Sequence, residues 1–138
     1  MTKLIVDASA AASWLLASQA TRSAMDLLDR LEDFEPAAPY VFQWELGNLL
    51  VRQTRREPRF SLAEAFTVLD SFRIAIAPPV GRNDVRALAA IAASRGLSLF
   101  DAGYLWLAMQ IDGVVASRDG GLLTAATAAG LPVFDLRG

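Results

Sequence analysis

The feature that most constrains this chain is an alternation: short apolar runs recur between stretches of helical periodicity. Leu4-Ile5-Val6 reads as a buried strand, as do Ile74-Ala75-Ile76-Ala77, Val114-Val115-Ala116 and the final Pro132-Val133-Phe134. Helices are expected over about 9–16, 23–31, 41–55, 61–72, 84–94, 100–111 and 122–129. Strands separated by helices need crossover connections, which favour a mainly parallel sheet with helices on both faces. The expected fold is therefore α/β and three-layered, with a central sheet of four to five strands and residues 1–138 forming one domain. In such open sheets the working crevice lies beyond the carboxyl ends of the strands.

Local signals refine this outline. Ser61-Leu62-Ala63-Glu64 is a capping box, Asn83 or Asp84 is placed to cap the fifth helix, and Gly96 suits its C′ position. Pro36 and Pro39 read as punctuation between helices. Met25, Leu27, Leu28 and Leu31 form an apolar stripe expected to face the core. The stretch Phe100 to Ile111 is apolar nearly all round, which predicts a buried helix.

Two absences narrow the chemistry. With no cysteine and no histidine, thiolate and imidazole metal sites, cysteine nucleophiles and Ser-His-Asp triads are all excluded. Catalysis must use carboxylates, hydroxyls, Lys or Arg, and any metal should be one that prefers oxygen ligands. A net charge of −2 argues against coating nucleic acid by bulk charge. The twelve Arg against one Lys, beside 25 Ala, fit a compositional bias better than a named partner. Asp7 interrupts the N-terminal apolar run, and the uncharged stretch Ala8–Thr21 is too short and too polar to span a bilayer. A cytoplasmic protein without membrane attachment is expected.

Four acids stand out. Asp7 directly follows the first strand, Asp119 follows the Val114-Val115-Ala116 strand, and Asp101 sits at the start of the most apolar helix. Each could serve simply as a helix cap, worth about 1 kcal/mol. Asp7 is the least suited to that role alone, because Ser9 could cap the first helix instead. Glu45 is different, since Phe42, Leu46, Leu49 and Leu50 surround it on its helix. A carboxylate in that setting costs several kcal/mol unless it is paired or metal-bound. An arginine partner and a shared cation are equally open.

These residues carry a resemblance. Leu4-Ile5-Val6-Asp7-Ala8-Ser9, Trp44-Glu45-Leu46-Gly47-Asn48, Leu97-Ser98-Leu99-Phe100-Asp101-Ala102-Gly103-Tyr104-Leu105 and Ala116-Ser117-Arg118-Asp119 resemble the ordered blocks of PIN-domain nucleases, and of VapC-type toxins in particular. The resemblance spans nearly the whole chain and implies a PIN-like fold. It maps the family's acids onto Asp7, Glu45, Asp101 and Asp119, its small hydroxyl positions onto Ser9 and Ser117, and a polar position onto Asn48. Gly121 stands where family members often carry a further acid, which leaves Asp119 and a second metal the least supported parts of the match.

The resemblance implies a metal-dependent endoribonuclease using Mg²⁺ or Mn²⁺, with Asp7 and Asp101 as principal ligands and Glu45 and Asp119 completing the site. Physics points the same way: clustered carboxylates repel by about 1 kcal/mol per pair in water and up to about 4 kcal/mol at an effective dielectric of 20. A divalent cation removes that conflict. Arg118, beside Asp119, is placed by sequence to meet a scissile phosphate or a carboxylate. Arg52, Arg55, Arg56 and Arg59 give residues 52 to 59 a charge of +3, as suited to a solvated helix end as to a phosphate track.

By the same resemblance, the partners are an RNA of unspecified kind (tRNA, rRNA or mRNA), a VapB-like antitoxin and a second copy of the chain. Trp14, Leu15, Leu16, Phe42, Trp44, Phe66 and Phe72 are candidate antitoxin contacts, and a mean hydropathy of +0.33 suits a covered apolar patch. Two relatives in chemistry fit poorly. A phosphoacceptor receiver needs a late lysine and the only one is Lys3; a haloacid-dehalogenase-type phosphatase needs Asp where Ser9 stands. A PIN-like protein that binds RNA or a partner without cutting, and a PIN nuclease acting on DNA, remain as alternatives.

Overall fold

The computed structural model describes residues 1–138. Five strands, β1 (Thr2–Val6), β2 (Phe34–Ala38), β3 (Ala75–Ile76), β4 (Val114–Ser117) and β5 (Val133–Asp135), pair in the order β3-β2-β1-β4-β5, every pair parallel. Seven helices connect them: α1 (Ala8–Leu15), α2 (Arg22–Asp29), α3 (Val41–Arg56), α4 (Leu62–Ser71), α5 (Arg82–Arg95), α6 (Leu99–Ile111) and α7 (Gly120–Ala128). Contacts group α1 with α2, α3 and α4, and α6 with α5 and α7. Right-handed crossovers place these two groups on opposite faces, because the first three strands run one way across the sheet and the last two the other. The expected three-layer α/β PIN-like fold is the one observed.

β1 is central, and its Leu4, Ile5 and Val6 are fully buried, as an unbroken apolar run in a sheet covered on both faces should be. Strand order reverses between β1 and β4. That switch point opens a crevice at their carboxyl ends, where Val6 pairs with Ala116 and the next residue out is Asp7.

Several local expectations need correction. β2 was read as a proline-punctuated connection, yet Leu4 pairs with Pro36 in register. The proline is tolerated because β3 pairs only with Ala37 and Ala38, leaving Pro36 with a neighbouring strand on one side. α5 starts at Arg82 behind Gly81, so neither Asn83 nor Asp84 is its cap; Gly96 does end it, at φ 66°. Met25 is exposed while Leu27 and Leu31 are buried, so the α2 stripe is narrower than its sequence suggests. Nor is α6 buried all round. Ala102, Tyr104, Leu105 and Ala108 face the core, but Leu99, Phe100 and Met109 are exposed.

This two-sided reading of α6 can be checked by urea denaturation. Leu105→Ala removes a fully buried side chain and should cost about 2–5 kcal/mol. Met109→Ala, on the exposed side, should change stability by less than about 0.5 kcal/mol.

Candidate active site

The site starts from the end of β1. Asp7 caps α1 after all: its Oδ1 accepts from the Ala10 amide at 2.8 Å and from the Ser9 hydroxyl at 2.7 Å. Its Oδ2 accepts from the Ser117 hydroxyl at the end of β4. Ser9 does not take the cap position. Its Oγ instead accepts the Arg118 amide at 2.9 Å, while Ser117 Oγ accepts the Asp119 amide at 2.8 Å. One buried carboxylate and two hydroxyls thus lock the ends of β1 and β4 together.

The other acids arrive from both helical layers. On α3, Glu45, Asn48 and Arg52 share one face by their spacing of three and four residues. On α6, Ser98 Oγ caps the helix by accepting the Asp101 amide at 3.0 Å. That leaves the Asp101 carboxylate with no capping duty, and Tyr104 stands one turn beyond it. Asp119 caps α7, its Oδ1 accepting the Gly121 amide at 2.9 Å. Asp7, Ser9, Glu45, Asn48, Arg52, Asp101, Tyr104 and Asp119 all line a single open cavity of about 570 Å³.

The four acids share the cleft with one arginine, Arg52, but none of them is held in an ion pair. The molecule's ion pairs are Lys3–Glu35 and Arg137–Asp135, so no Lys or Arg pairs with any of the four. The arginine partner open to Glu45 from sequence does not exist. Its Oε1 is buried without a hydrogen-bond partner, and so is the Tyr104 hydroxyl. The two stand close enough that Glu45, after burial itself, helps hold the phenol protonated. Burial raises the Asp7 pKa, against the opposing hydrogen bonds from Ser117, Ala10 and Ser9, and the Asp119 charge adds to the rise. Burial likewise raises Glu45, against the neighbouring Tyr104 hydroxyl, which lowers it, and with the charges of Asp7 and Asp119 adding. Asp101 is pushed up to about 7, first by burial, then by the hydrogen bond its protonated form makes to Asp119 and by the charges of Asp119, Asp7 and Glu45.

The donor set fits a hard divalent cation. All four acids offer oxygen, none is held in an ion pair, and their charges raise one another's pKa. No three acids converge into a preformed cage; they ring an open cleft instead.

Some sequence-derived assignments are corrected by this geometry. Ser117 lies beneath the cleft, fully buried, and acts through Asp7. Arg118 does not line the cleft; its Nη1 donates to Gln19 at 3.1 Å. Among the candidate partner contacts, Trp14, Leu16 and Phe42 are buried, Trp14 donating its indole N–H to the Ala24 carbonyl at 2.8 Å. Trp44 and Phe66 remain exposed. Tyr104 also lines the cleft, although sequence reasoning counted it only among the apolar residues of its helix. Its spacing of three from Asp101 was the available signal.

The three raised carboxyl pKa values set a pH dependence. A raised folded-state pKa means stability that is present below the unfolded pKa near 4 and lost as pH climbs through the folded value. In EDTA, the melting temperature of the wild type relative to Asp101→Asn should fall as pH rises between about 4 and about 7, and level off above 7. A difference that grows over that range contradicts the carboxylate cluster described here.

Comparison with known proteins agrees with this fold. The chain is similar to PAE2754 from Pyrobaculum aerophilum, with 24% identity, TM-score 0.65 and coverage of 89% of this chain and 84% of that one. It is similar to FitAcB from Neisseria gonorrhoeae, with 19% identity, TM-score 0.60 and coverage of 97% and 98%. FitAB bound to an IR36 DNA fragment is similar at 19% identity and TM-score 0.58, covering 98% of this chain and 96% of that one. These likenesses are of fold. No curated protein matches. The sequence itself matches the PIN domain over residues 4–127, nearly all of its length, and the chain belongs to the PIN domain family.

Proposed function

We propose that this chain is a Mg²⁺- or Mn²⁺-dependent endoribonuclease, acting in the cytoplasm as the toxin of a VapBC-type toxin–antitoxin pair, with residues 1–138 working as one domain. One observation carries the reading: four acids from four separate elements line one cleft, and none of them is held in an ion pair. PIN-family membership supports hydrolysis of a nucleic-acid phosphodiester. When bound, the divalent cation supplies a Lewis acid for the phosphoryl oxygen and a water made acidic enough to ionise near neutral pH.

The side chains then have distinct tasks. Asp7 and Asp101 would hold the cation, Asp7 kept in place by Ser9, Ser117 and the Ala10 amide. Glu45 and Asp119 complete the ligand set or accept a proton from water. Glu45 is suited to the latter because its pKa is raised and one oxygen is free. Arg52, on the cleft wall beside Asn48, takes the phosphate-binding role that sequence reasoning gave to Arg118. Exposed Trp44 and Phe66 are available to a VapB-like antitoxin, and a second copy of the chain is a further partner implied by the resemblance. No helix is long and apolar enough to cross a membrane.

The test is incubation of the purified chain with total RNA, with Mg²⁺ or Mn²⁺ and with EDTA. Cutting should require the metal and be abolished in Asp7→Asn and Asp101→Asn, while circular dichroism stays unchanged; asparagine retains the oxygen acceptor that caps α1. Metal at 100 times its Kd should stabilise the fold by about 2.7 kcal/mol. Retained cutting in both variants removes these acids from the chemistry. An intact RNA pool with an unchanged melt favours a PIN-like protein that binds without cutting. The DNA-bound FitAB structure makes DNA the competing substrate, and single-stranded and duplex DNA belong in the same assay.

A further inference from the structure

Two exposed rings flank the acids, each one residue before a carboxylate: Trp44 precedes Glu45 on α3, and Phe100 precedes Asp101 on α6. Both line the acid cleft. Trp44 is 72% exposed and Phe100 52%, so neither works in the core. Successive helix residues diverge by about 100°, which sets each ring beside its carboxylate on the rim. Beyond Phe100 opens a second cavity of about 180 Å³, mainly apolar, with Val41, Val80, Phe100 and Trp106 among its walls. Val41 and Phe100 belong to both cavities, so the apolar one adjoins the acid cleft across these two side chains.

The cleft has an affinity problem that these rings answer. Four acids and one arginine line it, and the whole chain carries −2, so a polyanionic strand gains little from charge. Base stacking on aromatic faces is the other general source of affinity for single strands. A water in the apolar cavity would want two to four polar partners, which apolar walls do not provide; the flat face of a base needs none. Bases in a duplex are already stacked and paired and cannot be presented this way.

We infer that Trp44 and Phe100 are stacking platforms for unpaired bases flanking the bond to be cut, with the cavity beside Phe100 receiving one base, so that the strand bound is single-stranded. The inference rests on the nuclease reading for the position of the bond. Its walls offer stacking rather than hydrogen-bond readout, so the site prefers a larger base to a smaller one and reads little else.

The test measures binding on the Asp101→Asn background with Mg²⁺ present, so that the strand survives. The probes are an oligoadenylate, an oligouridylate, their duplex and an abasic phosphate strand of equal length. Oligoadenylate should bind most tightly, and Trp44→Ala and Phe100→Ala should each weaken it by about 5- to 150-fold while leaving the abasic strand unaffected. Trp44→Leu should not restore binding. Equal affinity for oligoadenylate and the abasic strand overturns the inference, as does full rescue by leucine, which would make the rings mere apolar cover. So does a drop in oligomeric state in Phe100→Ala, which would assign the patch to a second copy of the chain. Trp44 is exposed enough that its variant folds, and circular dichroism checks Phe100→Ala. Because binding is read apart from cutting, ring-dependent binding by a wild-type chain that cuts no RNA would sink the nuclease reading alone. Metal-dependent cutting with no ring dependence would sink only this one.

Discussion

The structure turns on one buried carboxylate. Asp7 ends the central strand, caps the first helix and accepts a hydroxyl from the neighbouring strand, so three elements meet at its two oxygens. Burying a charge costs several kcal/mol unless hydrogen bonds offset it. Asp7 has three, and burial still dominates, leaving its pKa raised. The fold therefore holds at its centre a group that would bind a proton or a cation more readily than an exposed aspartate does.

The remaining acids amplify that tension. Asp119 is tied to the same lattice through the Ser117 hydroxyl, and Asp101 is driven toward neutrality by burial and by its three acidic neighbours. No ion pair offsets them, because the molecule's ion pairs are at Glu35 and Asp135. Such an arrangement costs stability and persists where it does something. The topology explains why it occurs at this place. Strand order reverses between β1 and β4, and a loop or helix end from each layer converges on the gap.

Much of this was legible in the residues. The apolar runs that became β1, β4 and β5 announced a parallel sheet, and the anomalous Glu45 in an apolar stripe pointed to a site before any partner was known. Other features were hidden because they depend on neighbours remote in sequence. β2 carries a proline and looks like a connection; only the one-sided pairing of that stretch makes it a strand. α6 reads as buried all round because hydropathy does not distinguish a core from a cleft, and the exposed Phe100 belongs to the cleft. Arg118 was placed by its adjacency to Asp119, but a side chain points where its own rotamer and partners send it, here toward Gln19.

By itself the sequence determined the type of chemistry and the kind of fold. The lack of histidine and cysteine narrows the reactive groups to carboxylates, hydroxyls, Lys and Arg, and alternating periodicities of two local structures leave a parallel three-layer sheet. Tertiary structure alone decided which groups share the cleft, that Glu45 lacks an arginine, and that Ser98 frees Asp101 by taking over its cap. The reason is range. Periodicity and capping act across a few residues of one element, whereas desolvation, charge repulsion and ring exposure are set by segments a hundred residues apart.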